Sequence, residues 1–332
     1  MSCPKILWLG IFSDKVKKIM RDQAPEGFEL MFVQSKNDKE EHLRLLAEAD
    51  YIAPNGIKMT EEYVRAAKKA KLIQLWGAGY DSYDLDLLKE LNIALQNGVG
   101  FNAAAVAEMV ILHILALNRK LLYVDHALRQ GRWLKTEMRD QCISLYGKTV
   151  GILGFGNIGR RLCELAYGMK AERVIYFDVR RASAEVERAL GAEYLPMDDV
   201  LREADIISLH LPLLDSTRHI INAEKIALMK PDAILVNTAR GAIVDEAALV
   251  DALKNRRIRG AGLDTFDPEP PAPDNPLFKL DNVVLTSHGG GAVFENIPPR
   301  VQHVYDCIVK FEKGEPVDER FVIVRRGAPS RK

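Results

Sequence analysis

Residues 148–159, KTVGILGFGNIG, restrict this chain more than any other feature. A β-branched apolar run leads into Gly154-Phe155-Gly156-Asn157-Ile158-Gly159, and a helix-like RRLCELAYGM follows. With 23 glycines in the chain the bare spacing is weak evidence. A strand before it and a helix after it, however, are the setting a dinucleotide-binding turn requires. Gly154 permits the tight turn, Gly156 lets the backbone approach a pyrophosphate, and Gly159 lets helix and strand pack closely. The open N–H groups and positive dipole end of the helix then face the phosphates. The next strand-like run ends YFD, and Asp178 stands 19 residues beyond Gly159. An acid there accepts hydrogen bonds from ribose hydroxyls and repels a 2′-phosphate, so NAD is the expected cofactor. Arg180 and Arg181, just beyond, are the residues that could hold such a phosphate instead.

The rest of the chain supports an α/β reading. At 332 residues it is long enough for two domains. Strand-like runs KILWLGIF, FELMFV, YIAP, LIQLW and NIALQ occupy the first hundred residues, with helical patterns such as 40–48 and 61–69 between them. A second series runs KTVGILG, RVIYFD, DIISLH, AILVN, RGAGLD and NVVLT. Such alternation predicts parallel sheets flanked by helices. A long helix is expected from Asn102 to about 122, apolar on most sides and therefore buried between domains or subunits. A charged, weakly periodic arm follows over 130–146. The last helix is expected to start near Pro299, since proline is tolerated only in a first turn, and to stop at Gly314. We read two doubly wound parallel-sheet domains: a Rossmann NAD-binding domain, 102–292 with a dimerisation helix and arm at 102–146, inserted into a flavodoxin-like substrate domain, 1–101 plus 293–332.

Composition excludes several classes. Lys plus Arg and Asp plus Glu are equal at 46 each, so no global charge favours nucleic acid or an anionic membrane. The cysteines Cys3, Cys142, Cys163 and Cys307 are scattered, which predicts free thiols and no metal site. The apolar stretch 6–12 suits a first strand better than a signal peptide, and 103–117 is interrupted by Glu108 and His113 and too short to span a bilayer. A cytoplasmic protein is expected.

Three further segments end strands in the second series: VNTARGAIVDEAAL with Arg240, AGLDTFDPEPP with Asp264 and Glu269, and LTSHGGGA with His288. Ligands bind at the carboxyl ends of strands in an open α/β sheet. Reduction of a 2-keto acid needs a forked cation for carboxylate and carbonyl, which arginine supplies. It needs a proton donor of suitable pKa, which histidine supplies. That histidine needs a carboxylate to fix its tautomer and stabilise its charge. Arg240, His288 and Glu269 are the candidates.

With these segments in view, the chain resembles the D-isomer-specific 2-hydroxyacid dehydrogenase family along nearly its whole length, from LWGAGYDSYDLD and NAAAVAE through LGFGNIG, HLPLLDSTRHII and NTARGAIVDEAAL to LDTFDPEPP and SHGGGA. The resemblance implies an NAD-dependent enzyme interconverting a small 2-keto acid and a (D)-2-hydroxy acid. Arg240 would bind substrate carboxylate and carbonyl, and Glu269 would pair with the acid/base His288. It also implies cofactor contacts at Asn157, Ile158, Thr238, Ala239, Asp264 and Gly291, and a substrate loop at Trp76, Ala78 and Gly79. A homodimer is the expected assembly. The N-terminal stretches 53–59 and 72–80 hold only Lys58 as a basic residue, which disfavours a phosphorylated substrate. Glu269 stands where formate dehydrogenases have Gln, which disfavours formate. The alternative is a binding protein on the same fold, an NAD-sensing co-repressor resembling the C-terminal-binding proteins. The ending RRGAPSRK, without a long flexible tail, is expected to disfavour it.

Overall fold

Strand formation in this chain follows its shortest apolar runs. In a computed structural model, which describes residues 3–327, they assemble into two sheets, each within its own compact unit. Residues 1–101 with 293–332 form the first unit and 102–292 the second. The terminal residues 328–332, which end the segment RRGAPSRK, lie outside the described residues.

The first unit holds β1 (Lys5–Leu9), β2 (Glu29–Phe32), β3 (Tyr51–Pro54), β4 (Leu72–Gln74) and β5 (Ala94–Gln96). They pair in parallel in the order 2-1-3-4-5, the flavodoxin-like order. Strands β1 and β3 are apolar and almost wholly buried because helices cover both faces. Four connecting helices begin at Ser13, Asp38, Thr60 and Asp84, whose side chains each accept a first-turn N–H. The helix expected over 61–69 stops at Ala66.

The second unit holds β6 (Thr149–Leu153), β7 (Arg173–Phe177), β8 (Ala192–Tyr194), β9 (Ile206–Leu209), β10 (Ile234–Asn237), β11 (Gly260–Leu263) and β12 (Val283–Leu285). The order is β8-β7-β6-β9-β10-β11-β12, all parallel, the doubly wound Rossmann arrangement with one added strand. The order reverses between β6 and β9, which opens a crevice at their carboxyl ends. A final strand, β13 (Val322–Val324), returns to the first sheet and pairs antiparallel with β5. The edge strands β8 and β13 were not expected from the sequence. Each has three residues, too few for a periodic pattern.

Two expectations about helices need correction. The expected helix 102–122 is two helices, Ala103–Asn118 and Leu121–Arg129, because Lys120 adopts a left-handed conformation with φ of 50°. The apolar character of the first is largely satisfied inside its own unit. Ala107, Val110 and Ile114 are fully buried in a core shared with Leu162 and Ala166 of the helix Asn157–Gly168 and with β6. Leu112 is exposed on the first helix, and a denser group of exposed apolar side chains lies later, at Leu121, Leu122, Tyr123, Leu128 and Trp133. The last helix, Ile297–Lys313, starts two residues before Pro299. Both prolines fit because first-turn N–H groups have no intrahelical partner.

Candidate active site

The fingerprint glycines have separable roles. Gly154, at φ of 100°, lies so close to the strand-β9 exit that a Cβ would sit 2.6 Å from the His210 carbonyl oxygen. Gly159 has its own would-be Cβ against the Gly154 carbonyl, which presses helix to strand. Gly156 faces open space and caps the helix Asn157–Gly168 without a side-chain hydrogen bond, so the N–H groups of that first turn stay available. Asn157 and Ile158 open that helix. A dinucleotide pyrophosphate fits this cradle, since a side chain at Gly156 would fill it. Asp178 directly follows β7, with Oδ2 accepting from Phe155 N–H (2.7 Å) and Oδ1 from Arg180 N–H (3.0 Å). Each oxygen keeps a lone pair for a ribose hydroxyl. Thr238 Oγ1, at the exit of β10, is buried and finds no hydrogen-bond partner among the described residues, an unmet demand that a ligand could meet.

Arg240, Glu269 and His288 come from the exits of the adjacent strands β10, β11 and β12. Asn237, fully buried, fixes the first loop: its Oδ1 accepts from Ala239 N–H (3.0 Å) and its Nδ2 donates to the Arg240 carbonyl (2.8 Å). Arg240 Nη1 donates to the Ala239 carbonyl at 2.7 Å. At Gly241 a Cβ would collide with the backbone of Phe266, so only glycine lets the arginine loop run against the loop leading to Glu269. Glu269 Oε1 accepts from Phe266 N–H (3.0 Å), and its Oε2 accepts from His288 Nδ1 (2.8 Å). A carboxylate only accepts, so Nδ1 carries a proton and Nε2 is the nitrogen left for other chemistry. The two side chains keep 48% and 37% of their surface exposed, so a reactant can reach them.

Electrostatics follow from this geometry. The hydrogen bond to Glu269 raises the pKa of His288 above its ordinary value. Burial and the Arg240 charge oppose the rise, while the charges of Glu269 and Asp264 support it. Burial disfavours the charged form of Glu269. The hydrogen bonds from His288 and Phe266 N–H, with the positive charges of His288 and Arg240, outweigh that and leave its pKa below the ordinary value.

Sequence reasoning did not anticipate the internal role of Asp264. Its carboxylate is 1% exposed and turned onto the following loop. It accepts from Thr286 Oγ1 (2.5 Å), Gly289 N–H (2.9 Å) and Gly290 N–H (2.8 Å), and its carbonyl accepts from His288 N–H (2.7 Å). This anchor holds His288 in a left-handed conformation at φ of 52°. Behind it, His113 is fully buried, with Nε2 3.0 Å from Thr286 Oγ1. It packs so closely on Gly262 that a Cβ there would lie 2.7 Å away. Asn237, Gly241, Thr286 and His113 were all missed. Gly241 directly after the arginine was the one local hint. Ala239 and Gly291 lie in the same loops as Arg240 and His288.

The loop with Trp76, Ala78 and Gly79 belongs to the first unit, beyond β4. Asn97 Nδ2 donates to the Ala78 carbonyl (2.9 Å), and Gly98 N–H donates to the Gly77 carbonyl (3.0 Å). The Trp76 ring packs on Trp8 and Phe12, with centroids 5.4 and 5.8 Å away.

A pyrophosphate cradle at a topological switch point, sharing its sheet with a carboxylate-backed imidazole, suits proton transfer coupled to hydride transfer. The class is that of nicotinamide-dependent oxidoreductases. Known proteins narrow it. Residues 111–290 match the family described as "D-isomer specific 2-hydroxyacid dehydrogenase, NAD binding domain". A glyoxylate reductase of Thermococcus litoralis is 40% identical over 263 residues, 78% of each chain. A hydroxypyruvate reductase of Thermotoga maritima is 39% identical over 272 residues, 80% of this chain and 86% of that one. The holo form of D-mandelate dehydrogenase from Rhodotorula graminis superposes with a TM-score of 0.86 at 27% identity, covering 99% of this chain and 100% of that one. The chain belongs to the D-isomer-specific 2-hydroxyacid dehydrogenase family and is an NAD-dependent oxidoreductase of 2-hydroxy and 2-keto acids.

Proposed function

We propose that the protein interconverts a small 2-keto acid and its (D)-2-hydroxy acid, with His288 as acid/base, Glu269 as its charge partner and Arg240 as the cation for substrate carboxylate and carbonyl. The observation that carries this is the 2.8 Å contact of His288 Nδ1 with Glu269, made beside the Arg240 charge. Gly154, Gly156, Asn157, Ile158 and Gly159 would hold NADH, with Asp178 at its ribose, and the bound nicotinamide would supply the hydride for the carbonyl carbon. His288 passes the Nε2 proton to the carbonyl oxygen as charge builds there. Glu269 stabilises the imidazolium until that transfer, and Arg240 holds the carboxylate through its fork. Thr238, Ala239 and Gly291 complete the cofactor contacts in this reading, with Asp264 contributing through the His288 loop. In the other unit, the loop at Trp76, Ala78 and Gly79 is proposed to offer backbone N–H donors to substrate and an apolar wall.

Glyoxylate and hydroxypyruvate, the substrates in the relatives' names, are the first candidates. The test is a panel of 2-keto acids with NADH and with NADPH, followed by nicotinamide absorbance. Rapid turnover of a short keto acid, with NADH preferred by at least about tenfold, or about 1.4 kcal/mol, supports the reading. Absence of turnover with tight NADH binding would favour the co-repressor-like alternative.

A homodimer is part of the proposal, supported by the exposed helix Leu121–Arg129 and the arm after it. Leu121, Val124, Leu128, Trp133, Leu134 and Met138 line a groove of about 390 Å³, and Trp133 is 73% exposed. Light scattering at micromolar concentration checks it, and a monomer contradicts it. Cytoplasmic action fits the four free cysteines. Among the described residues no helix is long and apolar enough to cross a membrane.

A further inference from the structure

Arg181 follows the ribose-binding acid Asp178 by three residues, where a cation could hold a 2′-phosphate. It is nonetheless committed elsewhere. Its Nε donates to Glu187 Oε1 at 2.8 Å and its Nη2 to Glu187 Oε2 at 2.9 Å, a two-pronged pair. Its guanidinium also lies 5.2 Å from the centre of the Tyr194 ring. Glu187 comes from the next helix, Ala184–Leu190, and its side chain is only 13% exposed against 62% for Arg181. Tyr176 Oη–H donates to Glu187 Oε1 at 2.6 Å, and Tyr176 Oη accepts from Ala182 N–H at 3.0 Å. Tyr176 in turn stacks on Phe155 of the fingerprint, with ring centroids 3.9 Å apart. The hydrogen bonds from Arg181 and Tyr176 bring the Glu187 pKa down to about 2, so it stays a carboxylate at any working pH.

We propose that Glu187 is a cofactor-specificity residue: it clasps Arg181 against Tyr194 and so withholds from the adenosine ribose the guanidinium that would otherwise accept a 2′-phosphate. Discrimination against NADPH then has two sources, the Asp178 carboxylate at the ribose and the sequestered cation three residues on. Glu187 is a positioning residue in this arrangement and acts through Arg181. The inference rests on the NAD-preferring reading above.

The test measures binding without turnover, by nicotinamide fluorescence titration of NADH and NADPH. The wild-type protein is expected to prefer NADH. Glu187→Gln removes the charge and keeps the side-chain shape. It should improve NADPH affinity relative to NADH by about two- to fivefold, the range a released surface ion pair allows. Glu187→Gln combined with Arg181→Ala should return the ratio to the wild-type value. Arg181→Ala alone should leave it unchanged, because the side chain is already withdrawn. This variant also keeps the idea testable if loss of Glu187 disturbs the fold. A ratio unmoved by Glu187→Gln in a protein that still binds NADH overturns the clasp and leaves the NAD preference standing. So does a gain that persists without Arg181, or an Arg181→Ala variant that weakens NADPH binding alone. A wild type that prefers NADPH overturns both readings.

Discussion

Two loops assigned to the reaction are held in opposite ways. The loop after β12, with His288, hangs on a buried carboxylate: Asp264 takes the side chain of Thr286 and two glycine N–H groups, and its carbonyl takes the N–H of His288. The loop after β4, with Trp76, rests on an aromatic floor of Trp8 and Phe12 with two backbone-directed hydrogen bonds beyond it. Trp8 Nε1–H donates to Tyr305 Oη (3.2 Å), which donates to the Met20 carbonyl (2.7 Å), so that floor is itself pinned. Directional bonds to a charge fix atoms to a few tenths of an ångström, as proton transfer requires. Ring packing is less directional and fixes a shape, which suits recognition. The contrast predicts that damage to the first loop changes chemistry and damage to the second changes preference.

The largest effect is expected at the acid/base itself. His288→Ala should reduce kcat by roughly 10²–10⁴-fold while NADH affinity, read by fluorescence, stays near that of the wild type. Near-normal turnover would remove His288 from the chemistry.

Next comes the anchor. Asp264→Ala strands the two glycine N–H groups and the Thr286 hydroxyl, at a cost on the order of 2–4 kcal/mol in stability, and should lower kcat with it. Thermal unfolding and kinetics on the same preparation check this. Full activity with unchanged Tm would erase the distinction between the loops.

Glu269→Gln sharpens it in pH. If His288 is the acid/base, its raised pKa should keep the imidazolium available for keto-acid reduction up to that pKa, with reduction falling above it and hydroxy-acid oxidation, which needs neutral imidazole, improving over the same range. Without the carboxylate the His288 pKa drops, so both limbs should move to lower pH. Superimposable profiles would separate Glu269 from the proton.

The smallest effect belongs to the aromatic loop. Trp76→Leu should alter the ratio of kcat/KM between short and bulky keto acids by about tenfold or less, with the pH profile unmoved. A shifted profile would mean that this loop shares in the chemistry.

Much of this is legible in the sequence. The glycine turn, Asp178 and the three strand exits announce themselves because each needs particular residue types at fixed local offsets. What escaped was non-local or unsigned. His113 and Thr286 meet across 173 positions, and no periodicity marks the pair. Lys120 breaks a helix by taking a left-handed conformation without being glycine or asparagine, so 102–122 reads as one helix. The resemblance places Asp264 at the cofactor, whereas its sequence frame reveals a strand end and nothing of the turn of its carboxylate onto the His288 loop. The apolar helix before Lys120 reads as buried between domains or subunits, and composition cannot tell which of its faces packs inside its own unit.

The anchoring of the His288 loop has a consequence for exchange with solvent. Glycine-rich connections ordinarily trade their amide hydrogens fast, since nothing shelters them. Here the Gly289 and Gly290 amides are spent on Asp264 and the His288 amide on its carbonyl. In deuterated buffer the peptide spanning SHGGG should therefore label slowly, like the strand that precedes it. The part of the chain that looks loosest on paper would then open only when the end of its sheet does.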